Sequence, residues 1–318
     1  MPRILVTGAA GFAGSHLVDA LARTGAEVIA WARRAERLPD TDIHMQAVDL
    51  LDRRAVAEAM AAARPDVVYH CAGAAQSGSA WDRIGTTLET NVMGTAHLLE
   101  ALRASAPRAR VVVTGSALVY RPTSELLTEA SAIGPVGPYA VSKLAQEMLA
   151  LRAAADDLDV VVARSFNHIG PRQSPAFVAS SVARQLALIE AGQSPPELLV
   201  GNLDASRDLT DVRDTVRAYI GLAAKGRRGE VYNVCSGRAV LIRDLVEALV
   251  QRTRVPVALV RDPARYRPVD VPVVVGSHAR LSAETGWKPE IPLDRTLDDI
   301  LDWWRRRTGA SPARQAGT

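Results

Sequence analysis

A glycine-rich turn close to the N-terminus constrains the fold of this chain more than any other feature. Arg3 to Thr7 form a short apolar run of strand-forming residues, a turn of small residues follows, and a helical pattern continues to Ala22. A helix N-terminus reached through such a turn binds the pyrophosphate of a dinucleotide, because backbone amides and the helix dipole face the anion. The candidate cofactor-binding residues in this turn are Gly8, Gly11, Phe12, Ala13 and Gly14. We therefore predict that the chain opens with a dinucleotide-binding unit.

The end of the second predicted strand bears on the choice of dinucleotide. The run Glu27 to Ala32 is followed by Arg33 and Arg34, at the place where an acidic residue would hold a ribose 2′-hydroxyl. An arginine here can pair with the 2′-phosphate of NADP, which an aspartate would repel. We expect NADPH as the cofactor, with NADH possible. The alternative is that both arginines are solvated and start a loop.

Strand and helix patterns alternate along the first half of the chain. After the glycine turn, a helical pattern at Arg53 to Ala63 leads into an apolar strand pattern at 67–73. Such alternation predicts an α/β fold, here a doubly wound parallel Rossmann sheet with a smaller C-terminal substrate-binding domain. Ala72 and Gly73 are small enough for the end of this strand to pass close to a cofactor. His70, inside the strand, is predicted to be a packed structural histidine rather than a ligand.

A tyrosine and a lysine four residues apart indicate the chemistry. Tyr139 and Lys143 lie in a strongly helix-forming segment, so both side chains share one face of a helix. A free tyrosine has a pKa of ~10, and a fixed ammonium beside it favours the phenolate and permits proton exchange with a substrate oxygen. Together with a redox cofactor, such a pair indicates carbonyl and alcohol chemistry. The spacing alone occurs by chance on many helices, so the motifs around it carry the assignment.

The order of these motifs, with a strand-end serine at Ser116 between them, resembles the short-chain dehydrogenase/reductase superfamily, specifically its extended branch. The segment 90–95 is similar to the NxxGT segment of that superfamily, with Asn91 as a structural and proton-relay residue; a simple bend of the helix at Asn91 is the alternative. The catalytic residues that the resemblance implies are Ser116, Tyr139, Lys143 and Asn91, and its further cofactor contacts are Asp49, Leu50, Thr114, Tyr139 and Lys143. The resemblance also implies a homodimer, formed by the helices that carry Asn91 and Tyr139.

Leu118 argues against one reaction of this branch. The nucleotide-sugar 4,6-dehydratases of the branch carry a glutamate at the corresponding position, which removes the C5 proton during elimination of water. A leucine has no proton to exchange, so elimination by that route is not expected. Ketone reduction, which needs a hydride and one proton, is compatible with Leu118.

Longer segments in the second half of the chain narrow the resemblance. They read RSFNHIGPRQ at 164–173, GNLDASRDLTDVRD at 201–214, RPVDVPVVVGS at 267–277 and LSAETGWKPEIPLDRTL at 281–297. Together they are similar to the GDP-4-keto-6-deoxy-D-mannose reductases, which make GDP-D-rhamnose. The implied substrate-binding residues are Ser116, Asn167, Val178, Gly201, Asn202, Arg207 and Arg267.

The residue types in these segments suit an anionic sugar nucleotide. Arg207 and Arg267 carry planar guanidinium groups that can bind a diphosphate, and the loop 201–203 is expected to line the nucleotide base. The alternatives are that Arg207 pairs with Asp211 or Asp214 and that Arg267 is a solvated loop residue.

Length and composition bound the organisation of the chain. Its 318 residues can hold one elaborated domain or two. We predict a Rossmann domain at 1–165 completed by about 206–240, a substrate-binding domain at 166–205 and 241–308, and a disordered tail at 309–318. Hydrophobic residues make up 48% of the chain. No apolar run approaches the ~18 residues of a membrane span, so no membrane partner is expected.

Charge and cysteine content bear on partners and location. The formal net charge is +3 and the pI is near 9.1, without basic clusters interleaved with aromatic residues, so no nucleic-acid partner is expected. Cys71 and Cys235 are the only cysteines, and each lies in an apolar segment, which predicts reduced thiols rather than a disulfide or a metal site. With a strand pattern that starts almost at the N-terminus, these features predict a cytoplasmic protein without a bound metal.

The same residues leave rival functions open. A nucleotide-sugar 4-epimerase uses the same serine, tyrosine and lysine but keeps its NAD bound. His168 would permit epimerisation if it acted on the sugar ring, whereas a structural hydrogen bond is its other role. A reductase of a dTDP-4-keto sugar would differ in its nucleotide. A non-enzymatic NADP-sensing scaffold would bind dinucleotide without any need for Tyr139 and Lys143.

Overall fold

Strands and helices alternate through most of the chain. The computed structural model describes residues 1–35, 43–75, 81, 83–265 and 271–310. The strands are β1 Arg3–Thr7, β2 Glu27–Ala32, β3 Met45–Ala47, β4 Val67–His70, β5 Arg110–Ser116, β6 Asp159–Ser165, β7 Asn167–Ile169, β8 Glu197–Val200, β9 Ser206–Asp211, β10 Val231–Val234, β11 Ala239–Leu241, β12 Ala258–Arg261 and β13 Val273–Val274. The helices are α1 Phe12–Ala22, α2 Arg53–Ala63, α3 Ile84–Leu88, α4 Gly94–Ser105, α5 Pro138–Ala155, α6 Val178–Glu190, α7 Val212–Lys225, α8 Ile242–Val250, α9 Ala279–Thr285 and α10 Leu293–Thr308.

Seven parallel strands form the central sheet. Their order is β10-β6-β5-β4-β1-β2-β3, and every neighbouring pair runs in the same direction. The direction of winding reverses between β1 and β4. Doubly wound sheets bind nucleotides at the carboxyl ends of the strands beside such a reversal. The sheet confirms the predicted doubly wound Rossmann fold and places the glycine turn at this edge.

Helices cover both faces of the central sheet. Leu5 of β1 packs in one apolar cluster with α2, α4 and α5, whereas Ile4 and Val6 pack in another with α1 and α7. Alternate residues of a strand point to opposite faces. Three successive buried apolar residues in β1 therefore reflect a strand that is covered on both sides, as parallel strands usually are.

A smaller layer of structure lies in the second half of the chain. β11, β9 and β13 are neighbours in one sheet, β7 also pairs with β9, and β8 pairs with β12. α6, α8 and α10 enclose a third apolar cluster that includes Leu186, Leu245 and Ile300. β9 belongs to this smaller sheet, and β10 then returns to the central one, so the two halves interleave. The domain boundaries given above stay a prediction.

Some predictions fall outside the described residues, namely Arg267 and the part of the predicted tail at 311–318. Within the described ranges, no helix combines the length and apolarity needed to cross a membrane. The same ranges hold no group of three histidine, cysteine or acidic residues that could bind a metal ion. Cys71 and Cys235 are both free thiols.

Candidate active site at the carboxyl ends of the central strands

The glycine turn between β1 and α1 leaves no room for side chains. Gly8 has a φ of +67°, and a Cβ there would lie 2.6 Å from the Ala72 nitrogen. A Cβ at Gly14 would lie 2.1 Å from the Gly8 carbonyl oxygen. α1 starts at Phe12 with Gly11 as its N-cap, and no side chain caps its first turn. The uncapped amides and the bare backbone fit the pyrophosphate of a dinucleotide.

Phe12 packs on the segment that follows β6. Its ring stacks on His168 with 5.6 Å between centroids and meets His16 edge-on at 5.7 Å. Ala13 packs against the apolar core. His168 Nδ1 donates to the Phe166 carbonyl oxygen at 3.1 Å, and burial lowers the pKa of this histidine. Of the two roles left open for His168, the structure shows the structural hydrogen bond.

Arg33 and Arg34 lie just beyond β2, beside the glycine turn. The Ala9 amide donates to the Trp31 carbonyl oxygen at 3.0 Å and ties the turn to the end of this strand. Trp31 is buried, whereas both arginines are exposed. Their guanidinium groups are therefore open to a ligand that lies across the ends of β1 and β2.

Asp49 and Leu50 follow β3 and pack in different ways. Asp49 Oδ1 accepts the Leu51 amide at 3.0 Å, so this carboxylate supports a local turn. Leu50 is buried against α4, where a Cβ on Gly94 would lie 3.2 Å from the Leu50 Cβ. His97 Nδ1 donates to the Leu50 carbonyl oxygen at 2.8 Å. Their contact with an adenine ring stays a prediction.

Asn91 joins the end of β4 to α5. It is fully buried in a π-helical turn, Glu89–Met93, between α3 and α4. Its Oδ1 accepts the Ala74 amide at 2.8 Å, and its Nδ2 donates to Ser142 Oγ at 2.8 Å. A Cβ at Gly73 would lie 2.9 Å from Asn91 Oδ1, so a side chain at Gly73 would crowd this contact. π-helical turns are rare and recur at functional sites, where they redirect a side chain.

Ser116 and Tyr139 meet at the end of β5. Ser116 is the last residue of that strand, and Tyr139 follows Pro138 in the first turn of α5. Burial raises the pKa of Tyr139, while its hydrogen bond with Ser116 acts in the opposite direction. This direction differs from the lowering expected from Lys143, because desolvation penalises the phenolate more than its polar neighbours favour it. Tyr139 is therefore a neutral phenol at pH 7 and can donate a proton.

Lys143 is buried one helical turn after the tyrosine. Its Nζ donates to the Thr114 carbonyl oxygen at 2.5 Å and to Gln146 Oε1. Burial lowers the pKa of Lys143 to about 8, while the Glu147 carboxylate acts in the opposite direction. The ammonium form therefore predominates at neutral pH. An ammonium has three donors, so the two contacts with the protein leave one for a ligand.

A buried ion pair anchors the next turn of α5 to the sheet. Arg164 of β6 donates to both carboxylate oxygens of Glu147, at 2.9 and 2.5 Å, and to the Tyr120 hydroxyl at 2.8 Å. The two charged side chains are 7% and 3% exposed. Sequence analysis missed this pair as well as Gln146. The sequence signals that could have indicated this ion pair were a charged residue on an otherwise apolar strand and another on the helix that covers it.

Gly201 and Asn202, expected to line the nucleotide base, line a cavity of about 430 Å³ in the second half of the chain. Arg243 and Asp262 also line it. A Cβ at Gly201 would lie 2.4 Å from the Arg265 carbonyl oxygen, so the loop backbone packs directly on the segment after β12. Cavities that bind small molecules usually measure ~300–1,000 Å³, and this one lies in that range.

Three other predicted substrate contacts lie on β7, α6 and β9. Asn167 is exposed on β7, which pairs with β9. Val178 is the first residue of α6, whose N-terminus has no side-chain cap. Arg207 of β9 is half-buried, and its Nη1 donates to the Ser206 and Val271 carbonyl oxygens at 2.8 and 2.7 Å. These main-chain contacts hold the guanidinium group in place.

Asp211 and Asp214, considered above as partners of Arg207, bind other arginines. Asp211 pairs with Arg213 and Asp214 with Arg217, each at 2.7 Å. Both carboxylates are fully buried and accept further hydrogen bonds, from Thr296 at 2.7 Å and from the Ile291 amide at 2.8 Å. These aspartates therefore connect β9 and α7 to the C-terminal segments.

Comparison with known proteins places the chain in a family. Residues 4–235 match the model of the NAD dependent epimerase/dehydratase family. The protein belongs to this family, which agrees with the resemblance to the extended short-chain dehydrogenases/reductases stated above.

Individual relatives are similar over nearly the whole chain. The GDP-6-deoxy-D-mannose reductase of Pseudomonas aeruginosa is 40% identical over 309 residues, which cover 96% of this chain and 98% of that protein. The structure of RMD from Pseudomonas aeruginosa complexed with NADPH superposes with a TM-score of 0.86 at 38% identity, covering 96% of this chain and 100% of that one. MoeE5 in complex with UDP-glucose and NAD superposes with a TM-score of 0.85 at 30% identity, covering 96% and 99%.

Proposed function

We propose that this protein uses NADPH to reduce the C4 ketone of a nucleotide-activated 4-keto-6-deoxy sugar, specifically GDP-4-keto-6-deoxy-D-mannose to GDP-D-rhamnose. The observation that carries the proposal is the 40% identity with a GDP-6-deoxy-D-mannose reductase over almost the full length of both proteins. The meeting of Ser116, Tyr139 and Lys143 at the carboxyl ends of the strands supports it.

The reaction needs a hydride at C4 and a proton at O4. A bound nicotinamide cofactor supplies the hydride. Tyr139, whose raised pKa keeps it protonated, gives its hydroxyl proton to O4 as the carbonyl becomes an alcohol. Ser116 donates a hydrogen bond to the same oxygen and stabilises the negative charge that develops on it. Lys143 directs its remaining donor to the nicotinamide ribose, and its positive charge stabilises the phenolate that Tyr139 becomes.

The cofactor proposal rests on the glycine turn and on the end of β2. The turn at Gly8 and Gly14 admits no Cβ, as a backbone in contact with a pyrophosphate requires. Arg33 and Arg34 are exposed beside it and are assigned to the 2′-phosphate of NADPH. A solved relative, RMD, is complexed with NADPH, whereas MoeE5 is complexed with NAD. NADPH is therefore the proposed cofactor, and NADH is a possible second one.

The substrate is assigned to the cavity and its surroundings in the second half of the chain. Gly201 and Asn202 would contact the base, Asn167 and Arg207 the diphosphate, and Val178 would offer the N-terminal amides of α6. Arg267 is assigned to the diphosphate on its residue type alone.

Leu118 supports reduction over elimination. It lies two residues beyond Ser116, partly exposed, and its amide donates to Ser116 Oγ at 3.2 Å. An apolar side chain here cannot remove a proton from the sugar. The epimerase alternative draws less support, because His168 is stacked on Phe12 and hydrogen-bonded to the main chain.

The test follows the absorbance of NADPH while GDP-4-keto-6-deoxy-mannose is added, with dTDP-4-keto-6-deoxy-glucose in a parallel reaction. Rapid loss with the GDP sugar alone is the expected result. Loss with the dTDP sugar alone would keep the mechanism and change the substrate. No loss with either sugar would contradict the reductase and favour an epimerase that keeps its cofactor.

We further propose that the protein is a cytoplasmic homodimer that pairs through α3, the π-helical turn and α5. Large apolar side chains are exposed on these elements, namely Ile84, Met93, Val141 and Met148. Single exposed apolar residues are common, but a row on adjacent helices favours an interface. Light scattering of the wild type should give the mass of a dimer, and Val141→Asp with Met148→Glu should give that of a monomer. A monomeric wild type would contradict the proposal.

A further inference from the structure

We propose that Gln146 is a positioning residue for Lys143, and that a buried chain of polar side chains fixes which end of its amide faces the ammonium. The inference rests on the proposed reduction, in which Lys143 contacts the cofactor. Gln146 is fully buried on α5, and its Oε1 accepts from Lys143 Nζ. Together with the Thr114 carbonyl oxygen, this amide holds two of the three ammonium donors, so the direction of the third is set.

One carbonyl group sets the direction of each hydrogen bond in the series that links Gln146 to Thr95 and His70. The main-chain oxygen of Asn91 can only accept, so the Thr95 hydroxyl donates to it at 2.7 Å. Thr95 Oγ1 must then accept from Gln146 Nε2 at 2.9 Å and from His70 Nε2 at 2.8 Å. Since its nitrogen is bound to Thr95, Gln146 presents its oxygen to Lys143. A reversed amide would bring two donors together.

His70 continues this series of hydrogen bonds from Thr95 to β1. Because its Nε2 donates to Thr95, its Nδ1 accepts from the Thr7 hydroxyl at 2.8 Å, and the Thr7 oxygen accepts the Ala72 amide at 3.3 Å. Burial lowers the pKa of His70 to about 3, and the charge of Lys143 acts in the same direction. The imidazole therefore stays neutral and keeps one tautomer. β1, β4, α4 and α5 are thus connected through satisfied polar groups.

The charged and titratable groups around Lys143 explain why a neutral amide matters there. From the end of β4, burial keeps Cys71 a neutral thiol by raising its pKa to about 12, and His70 is neutral as well. On α5, Tyr139 is a phenol, and Glu147 is bound in its ion pair with β6. The Gln146 dipole therefore holds Nζ without adding a full charge. Loss of this acceptor should destabilise the ammonium, whereas a carboxylate in its place should stabilise it.

The first test measures the titration midpoint of Lys143 directly and does not depend on turnover. The chain has three lysines, Lys143, Lys225 and Lys288, so full-length protein labelled with ¹³C at lysine Cε gives three resolvable resonances. In the wild type, Lys143 should titrate near pH 8. Gln146→Met, which keeps the length of the side chain and removes the acceptor, should lower this midpoint, whereas Gln146→Glu should raise it. The resonances of Lys225 and Lys288 serve as internal references and should not respond to either substitution.

A second glutamine provides the matched control. Gln185 of α6 also uses both ends of its amide, donating to the Leu199 and Ser181 carbonyl oxygens at 3.2 and 3.4 Å and accepting the Leu199 amide at 3.0 Å. Gln185→Met should lose a comparable amount of unfolding free energy and leave the Lys143 midpoint unchanged. An equal shift in this control, or no shift in Gln146→Met, would overturn the proposal.

Kinetics provide the second readout. Gln146→Met should lower kcat/KM for ketone reduction by ~10- to 100-fold, because the ammonium is displaced from its bound position. The alkaline limb of its pH–rate profile should move to lower pH, and that of Gln146→Glu to higher pH. The proposal would be overturned if the alkaline limb stayed at the same pH in both variants. If the wild type failed to reduce any keto sugar, the proposed function would fail, while the lysine titration would still decide whether Gln146 positions Lys143.

Discussion

Arg164→Met should be among the most destabilising single substitutions on the sheet, since it leaves the Glu147 carboxylate buried without a counter-ion. The pair is bidentate, with side chains 7% and 3% exposed, and the Tyr120 hydroxyl loses a donor as well. Removal of one partner of such a pair costs ~3–5 kcal/mol, because the remaining charge stays desolvated. Urea unfolding followed by far-UV circular dichroism should show this loss as a fall in midpoint of ~1 M.

Two further variants test whether an uncompensated buried charge causes the loss of ~3–5 kcal/mol. The double variant Arg164→Met with Glu147→Gln removes both charges and should recover most of the loss, since no uncompensated charge remains. Arg228→Met breaks an exposed pair with Asp157, whose side chains are 45% and 94% exposed, and should cost less than ~1 kcal/mol. If Arg164→Met cost no more than Arg228→Met, or if the double variant were less stable than the single one, the buried pair would not anchor α5.

Three further outcomes test the site. Tyr139→Phe should lower kcat by ~10²- to 10⁴-fold with little change in NADPH affinity, because only the proton donor is lost; turnover assays and cofactor fluorescence measure both, and ordinary turnover would refute the assignment. Replacement of Arg33 and Arg34 by serine should weaken NADPH binding ~10-fold or more and spare NADH, since each charge-assisted hydrogen bond contributes ~1.5–3 kcal/mol; equal losses for both cofactors would argue against a 2′-phosphate site. His70 has a folded pKa of about 3, below its ordinary 6.5, so the unfolded chain takes up a proton that the folded one excludes, and stability falls as the pH drops through this range. Urea unfolding at pH 7, 6 and 5 should show a slope of up to ~1.4 kcal/mol per pH unit from this residue, which His70→Gln should remove; an unchanged slope would sink the argument.

The fold and the cofactor turn could be predicted because each depends on neighbouring residues. Three successive apolar residues in β1 indicate a strand that is covered on both faces. Gly8 and Gly14 indicate a backbone that a pyrophosphate can approach closely. The tyrosine and lysine share a helix face because of their spacing alone. In each case a few adjacent positions determine the geometry, and no distant partner has to be known.

The residues that hold the active-site side chains in position could not be predicted in this way. Gln146, Thr95 and His70 lie on three elements, and their mutual contacts exist only after the sheet and helices have assembled. The pKa of Tyr139 shows the same limit, because a nearby lysine argues for a decrease while desolvation, which only the assembled site reveals, causes an increase. For Arg207, the sequence offered Asp211 and Asp214 as partners, and in the assembled structure both of these bind other arginines.

The interleaving of the two halves has a consequence for biosynthesis. Ile4 and Val6 pack with α1, which follows them directly, and also with Val216 and Tyr219 of α7 and with Trp287, which lie more than 200 residues later in the sequence. At ~5–20 residues per second, the part of that apolar face that α1 does not cover stays exposed on the nascent chain for on the order of ten seconds or more. A product terminated before α7 would leave that part exposed and would be a natural substrate for chaperones and proteases. The dinucleotide-binding half therefore cannot be excised as an independent module without a replacement for the helix and edge strand that arrive late.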